Sequence, residues 1–372
     1  MDEALELDPK KVNPKYFLNI KNGVLNLKNL KLLPKDSDEL DGYIFNYQVN
    51  ANYLSKKEAD GAKKQRFLKF LDQAMEGDKE KKSLFLSILG YILTDFKEAR
   101  SIFFLVGATA TGKSVIATLV TELLGEEYVT GLSLTDISRQ FGLAELKNSR
   151  INISTEANPS PIKNTGTIKA ITSGDRLFAD QKNKRGINFR PFCKLVQIGN
   201  IVPKLKSDRD EGHAFKDRFV ILKFNKTISK EERDLELENK MLLEELDFIF
   251  TIAITTFKKT VMDNNFIFPL PKESLAFIEE YFDSKSDYEK IDMFMNDSCI
   301  FGDNKNCKEH LGDLYKAYLN YVNEKHIQNG LTEKMFNKIV TKWGQDRGLI
   351  KDRFRKGEAN KYGLKGIKLV QK

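Results

Sequence analysis

Residues Gly107-Ala108-Thr109-Ala110-Thr111-Gly112-Lys113-Ser114 match G-x-x-x-x-G-K-[ST] in the context that this pattern requires. The run SIFFLVG, from Ser101, is short, continuous and apolar and ends in Gly107, as a buried parallel strand does. A helical pattern over 115–124 follows. A strand, a glycine-rich turn and a helix in that order leave few folds open. Gly107 and Gly112 let the backbone turn tightly, so that successive N–H groups and the helix N-terminus face one point. That point suits phosphate: Lys113 reaches the β- and γ-phosphates of a nucleotide, and the Ser114 hydroxyl is a ligand for Mg²⁺.

Three further apolar runs, over 150–154, 194–199 and 218–224, read as strands of the same sheet, which gives an α/β domain. Ahead of it, apolar residues recur every three or four positions over 63–76 and 83–93, so 1–98 is expected to be a mainly helical domain. Behind the sheet, 230–262 has a helical period and is expected to form a lid-like segment, until Pro269 and Pro271 break it. The α/β domain thus runs over 99–283. From 284 to 372 a smaller domain is expected, with helices over 311–324 and 332–344, the second capped by Thr332. Two strand-like pieces around a Lys- and Gly-rich turn follow, and helix, helix, hairpin is the order of a winged helix.

Composition excludes several classes. The chain has 372 residues, 41% hydrophobic and 31% charged, which is neither a disordered nor a membrane composition. No apolar run approaches the roughly 20 residues that span a bilayer, and the N-terminus lacks the order of a secretory signal. Three cysteines argue against an extracellular disulfide framework, so a cytoplasmic protein is expected. Cys299, Cys307 and His310, with His326 further on, match no usual zinc spacing. The net charge of +8 is uneven. Residues 181–206 carry Lys182, Lys184, Arg185, Arg190, Lys194, Lys204 and Lys206 and no acid. Residues 351–372 carry eight Lys or Arg against Asp352 and Glu358.

Hydrolysis needs a carboxylate for metal and water at the end of a neighbouring strand. Glu156 follows RINIST at that place; Ser154 and Thr155 stand where two adjacent acids are common, so one carboxylate has to serve both roles. Asn200 ends the third strand at the carboxyl edge, either as a hydrogen-bonding partner of the γ-phosphate or as a simple turn residue.

Taken in order, GATATGKS, INISTE, KAITSGD, FRPFCKLVQIGN and FKDRFVILKF resemble the superfamily 3 helicases of the AAA+ class, in the branch attached to phage, plasmid and poxvirus primases. FLNIKNGVLNLKNLKLLP and LGYILTDFKEARSIFFLVG resemble the region that precedes the ATPase in these proteins, and the last eighty or so residues resemble their winged-helix tail. The resemblance implies ATP and Mg²⁺ as cofactors, with Thr111, Lys113 and Ser114 on the phosphates and metal. It makes Glu156 the residue that polarises water and a metal ligand, Asn200 the γ-phosphate sensor, and Arg218 an arginine finger supplied by a neighbouring subunit.

Members of this family form homo-hexamers around DNA. The segment before the Asn strand is then a β-hairpin in the channel, with its tip at Asn183, Lys184, Arg185 and Gly186 and with Lys182, Lys184 and Arg185 on the DNA backbone. The implied activity is replicative unwinding with 3′ to 5′ movement on single-stranded and forked DNA, in the cytoplasm of a cell that hosts a phage or other mobile element. A primase-polymerase module is expected upstream or in trans, because no paired-carboxylate site for nucleotidyl transfer is visible here. A nucleotide-switched origin-binding or assembly protein is the alternative. The winged helix suits a DNA fork and a protein partner about equally.

Overall fold

β-structure over 17–33 comes ahead of the helices in the stretch 1–98, which was expected to be mainly helical as a whole. In the computed structural model, which describes residues 11–137, 139, 141–155, 162, 165–203, 215–229, 236–283, 287–302, 307–325, 331–356 and 359–370, strands β1 (Phe17–Ile20), β2 (Gly23–Asn26) and β3 (Lys31–Leu33) form an antiparallel meander. Gly23 makes this possible: a Cβ there would lie 2.4 Å from the Leu33 carbonyl oxygen. Three helices follow, α1 (Lys56–Gly61), α2 (Gln65–Ala74) and α3 (Lys79–Ile92), close to the periodic stretches of the sequence. Ser55 and Glu58 form a capping box on α1, and Asp78 accepts from two backbone N–H groups of α3. The N-terminus of α2 is capped from a distance. The buried carboxylate of Glu245 accepts from the N–H groups of Arg66 at 3.1 Å and Phe67 at 2.8 Å.

The sheet and its helices come next: β4 (Ile102–Gly107), α4 (Ser114–Leu124), β5 (Val129–Thr130), α5 (Gly142–Glu145), β6 (Ile151–Ser154) and α6 (Thr165–Ser173). The chain then forms the two-stranded hairpin β7 (Leu177–Gln181) and β8 (Lys184–Phe189), returns as β9 (Lys194–Gly199), and adds β10 (Phe219–Phe224). Five strands lie parallel in the order β10-β4-β9-β6-β5. This is an α/β architecture, and β4, β6, β9 and β10 fall on the four apolar runs of the sequence. β5, with two residues, was not legible there.

Two helices follow, α7 (Leu237–Glu244) and α8 (Leu246–Thr260). A lid was expected from this segment, but α8 is a core helix. Ile249, Phe250, Ala253, Ile254 and Phe257 are all fully buried, and each of the Ile and Phe side chains contributes about 1.5–3 kcal/mol by leaving water. Gly90 sets the approach of α3 to α8, since a Cβ there would lie 2.4 Å from the Ala253 carbonyl oxygen and 2.5 Å from Phe257 Cβ. The same core takes in Leu18 and Ile20 of the meander and Phe103 of the sheet.

The chain divides into two compact units, Met1–Glu280 and Tyr281–Lys372, with helix α9 (Lys272–Asp283) at the division. The second unit contains α10 (Asp287–Ser298), β11 (Cys299–Phe301), β12 (Lys308–His310), α11 (Leu311–Glu324) and α12 (Glu333–Gln345). It ends in the hairpin β13 (Ile350–Lys356) and β14 (Ala359–Lys365), followed by β15 (Ile367–Leu369). Thr332 caps α12 as the sequence predicts, accepting from the Met335 N–H. Trp343, Phe336, Tyr318, Phe294 and Leu364 fill this unit's own core. No helix among the described residues is long and apolar enough to cross a membrane.

Candidate nucleotide site and basic hairpin

The loop 107–113 leaves β4 at the carboxyl edge of the sheet and runs into α4, the geometry expected of it. Each glycine has a steric reason. A Cβ on Gly107 would stand 2.1 Å from the Phe224 carbonyl oxygen, and Gly112, at φ +87°, would drive one to 2.8 Å from the ring of Phe70. Ala110 also lies in the left-handed region, at φ +61°, and its carbonyl accepts from the Ile228 N–H at 2.8 Å. Lys113 is turned inward. Its ammonium donates to the Gly107 carbonyl at 2.7 Å, to Thr111 Oγ1 at 3.0 Å and to the Ala108 carbonyl, while burial pulls its pKa below the usual lysine value. Ala108, Thr109 and Ser114 face solvent around it, so an anion arriving there would meet the helix N-terminus and a cation already in the loop.

Neighbouring strands bring other residues to this edge. Gly199 pairs with Val106, so Asn200, exposed, stands at the level of the loop. Ser154 is buried and ends β6 beside Gln197 of β9, whose side-chain amide donates to the Ser154 carbonyl at 3.3 Å. Glu156 lies outside the described residues. For a metal, exposed Ser114 offers a hydroxyl oxygen at this edge, a donor that would suit a hard cation. Among the described residues no group of three or more His, Cys, Asp or Glu could hold a metal on its own, and Cys193, Cys299 and Cys307 are free thiols.

Arg218 is at the other edge. Its carbonyl accepts from the Ile102 N–H at 2.7 Å, and the register sets it opposite Ser101, just before β4 and about 20 Å along the strand from Gly107 at about 3.3 Å per residue. Its Nη1 donates to Thr172 Oγ1 at 3.0 Å and to the Arg100 carbonyl at 3.2 Å, and Nε is buried with no partner among the described residues. Burial, and then the Arg100 charge, pull its pKa down, with Asp175 and Asp217 opposing.

The hairpin differs from expectation by a small shift. The turn is Lys182-Asn183, with Asn183 left-handed at φ +57°, and Lys184, Arg185 and Gly186 belong to β8. The register of the hairpin shifts at a bulge between Ala179 and Gln181. Lys182, Lys184 and Arg185 are all exposed. Exposed Phe178, absent from the sequence reading, crosses Gly186, where a Cβ would strike its ring at 2.3 Å. Lys194 does not belong with these cations: it is buried, and its ammonium donates to the Thr94 carbonyl at 3.0 Å. Lys204 and Lys206 lie outside the described residues.

Residues 105–218, the stretch that holds the loop, the hairpin and Arg218, match the profile of a family of unknown function (DUF5906). Over 113 residues the chain is 33% identical to a candidate helicase, L207/L206, of Acanthamoeba polyphaga mimivirus. That similarity takes in 28% of this chain and only 12% of the mimivirus protein's length. Among solved structures, the ligand-free C-terminal region of NrS-1 in its A form aligns with a TM-score of 0.47 at 16% identity, covering 87% of this chain and 80% of that one. A further ligand-free structure of the same NrS-1 region gives 0.47 at 15% over the same shares. The chain therefore carries limited sequence similarity to a viral helicase-type protein within an α/β fold.

Proposed function

We propose that this chain is an ATP-dependent DNA helicase of the superfamily 3 type, an AAA+ domain over 99–283 between an N-terminal domain over 1–98 and a winged-helix domain over 284–372. The observation that carries this reading is the division of charge between the two edges of one sheet. A nucleotide loop with Lys113 stands at the carboxyl edge, and Arg218 stands about 20 Å away at the other, too far to serve the same nucleotide. An arginine so placed acts on the nucleotide of a neighbouring copy, which calls for a ring, in this family a homo-hexamer.

In that ring the backbone N–H groups of residues 108–114 and the Lys113 ammonium hold the phosphates of ATP, Lys113 leaving its carbonyl partners for the stronger phosphate acceptor. Ser114 and Glu156 would hold Mg²⁺, which supplies charge neutralisation on the transferring phosphoryl group. Glu156 orients water, Asn200 contacts the γ-phosphate, and the neighbour's Arg218 stabilises the charge that develops. Lys182, Lys184 and Arg185, on the exposed hairpin, grip the phosphates of a single DNA strand without reading its bases. Movement 3′ to 5′, forked DNA as substrate, the host-cell cytoplasm of a phage or other mobile element, and a primase-polymerase module upstream or in trans belong to the same reading. A second reading, a nucleotide-switched origin-binding or assembly protein, is favoured by Ser154 and Thr155 standing where a second acid is common.

DNA-stimulated ATP hydrolysis and displacement of a strand from forked DNA test this directly. Lys113→Ala should lose hydrolysis by at least about 100-fold. Lys184→Ala should lose unwinding and the stimulation of hydrolysis by DNA. Turnover by Lys113→Ala at the wild-type rate would sink the ATPase assignment; brisk hydrolysis without any strand displacement by the wild type would favour the assembly reading.

A further inference from the structure

The second unit carries a cationic surface of a different kind. Strands β13 and β14 pair in the register Lys351↔Leu364, Arg353↔Tyr362 and Arg355↔Asn360. Residues directly opposite one another share a face, as do alternate residues along a strand. Lys351, Arg353, Arg355, Asn360, Tyr362 and Leu364 therefore form one face. Leu364 is fully buried and roots that face in the core; the other five are exposed.

The exposed residues of this face on β13 and β14 include no acid. Glu309 of β12, opposite Leu364, shares the face at its buried end, where its carboxylate accepts from the Leu369 N–H at 3.3 Å, and Asp352 is on the opposite face, paired with Lys365 at 2.5 Å. In the middle of the cations stands Tyr362, 59% exposed, with Lys351 Nζ and Arg353 Cζ each 5.9 Å from the ring centroid. Such contacts contribute little in water, so they do not explain why a large ring is left outside the core. A largely exposed ring among positive charges has the chemistry of a platform on which a base stacks while its flanking phosphates are neutralised. A duplex offers no unstacked base to such a ring, whereas a single strand does.

We propose that the β13–β14 face binds single-stranded nucleic acid, with one base stacked on Tyr362 and the adjoining phosphates on Lys351 and Arg353. This contact is separate from the nucleotide loop and from the β7–β8 hairpin, and it needs neither ATP nor its hydrolysis.

The test is equilibrium binding of a fluorescent oligothymidylate of about 16 nucleotides to the full-length chain without nucleotide, followed by anisotropy over a range of salt. Tyr362→Ala should weaken binding about tenfold, while Tyr362→Phe, which keeps the π-face, should bind as wild type does. The double variant Lys351→Ala, Arg353→Ala should weaken binding and flatten the salt dependence by about 1.4 in log–log slope, the share of two phosphates. Unchanged melting temperatures exclude misfolding as the cause. Competition by unlabelled single strand, by duplex and by a poly-glutamate peptide identifies the occupant, and the single strand should compete best. Wild-type affinity in Tyr362→Ala would overturn the proposal. So would equal losses in the Ala and Phe variants, or stronger competition by duplex or by poly-glutamate.

Discussion

Lys113 and Lys194 both hold an ammonium group against backbone carbonyl oxygen, both are less than a tenth exposed, and burial lowers both pKa values. They stand at opposite edges of one sheet. Lys113 lies in a loop whose rim is open to solvent, so its carbonyl bonds can be exchanged for bonds to an arriving anion. Lys194 is closed in by the Thr94 carbonyl and by the Tyr91 ring, 5.0 Å from its ammonium. Two other cations share that closed edge. Arg150 pairs with Asp95 and stacks on Tyr47, and Lys97 donates to the carbonyls of Ile171 at 3.2 Å and Cys193 at 2.5 Å. Burial and hydrogen bonding are thus alike at both edges, and what separates a ligand-binding lysine from a structural one is whether a better acceptor can reach it.

Arg218 tests this contrast with the largest effect, because it lies at the structural edge and yet is assigned a catalytic part. Arg218→Ala should lower hydrolysis about 1,000-fold, the usual contribution of an arginine finger. Mixing it with Lys113→Ala protein should restore activity, since mixed rings contain interfaces with an intact Lys113 facing an intact Arg218. Thr172→Val, which removes only the side-chain acceptor of Arg218, should leave hydrolysis within a few fold of wild type. If Thr172→Val lost as much as Arg218→Ala, and mixing restored nothing, Arg218 would be a structural cation like Lys194.

The closed edge should answer to pH in a way that the open one does not. Burial pulls the Lys97 pKa down to about 8, against a weaker opposing electrostatic effect of Cys193. Below pH 8 the folded and unfolded states both carry the proton, and folding bears the full cost of enclosing the charge. Between about 8 and the usual lysine value of 10.5 the unfolded chain binds more proton than the folded one, so the Lys97 contribution to stability rises with pH. The melting temperature of the wild type should therefore gain on that of Lys97→Met from pH 8 to pH 10. A constant difference across that range would mean that the ammonium is not enclosed.

How far the sequence reached depended on how local each feature is. The apolar runs that became β4, β6, β9 and β10, the loop 107–114 and the Thr332 cap each lie within a dozen or so consecutive residues, and all were legible. Lys194 was not, because its burial depends on Tyr91 and Thr94, about a hundred positions away, and a run of cations looks the same whether one member points inward or not. The cap of α2 by Glu245 spans nearly 180 positions and left no sign near Gln65. Phe70 beneath Gly112 and Ile228 beside Ala110 are likewise products of tertiary packing. The hairpin turn does carry a local mark, Asn183 in the left-handed region, but the register that ends it at Lys184 depends on the pairing of two strands.

The smallest effect concerns the support behind the open edge. Glu273 accepts from Asn225 Nδ2 at 2.8 Å and pairs with the buried Lys81 at 2.7 Å and with Lys223 at 2.9 Å. Burial opposes ionisation of Glu273, but these hydrogen bonds outweigh it and hold its pKa at about 2. Its contribution to stability is therefore complete above the usual glutamate value of 4.5 and is lost as pH falls toward 2. Partly exposed pairs of this kind contribute about 1 kcal/mol, so Glu273→Gln should melt a few degrees lower at pH 7, and the difference should shrink between pH 5 and pH 2. Because Asn225 begins the segment that reaches Ala110 through Ile228, the same variant should also raise the KM for ATP by a small factor while leaving kcat nearly unchanged. A melting difference that stayed the same down to pH 2 would show that the carboxylate charge is not what ties β10 to α3.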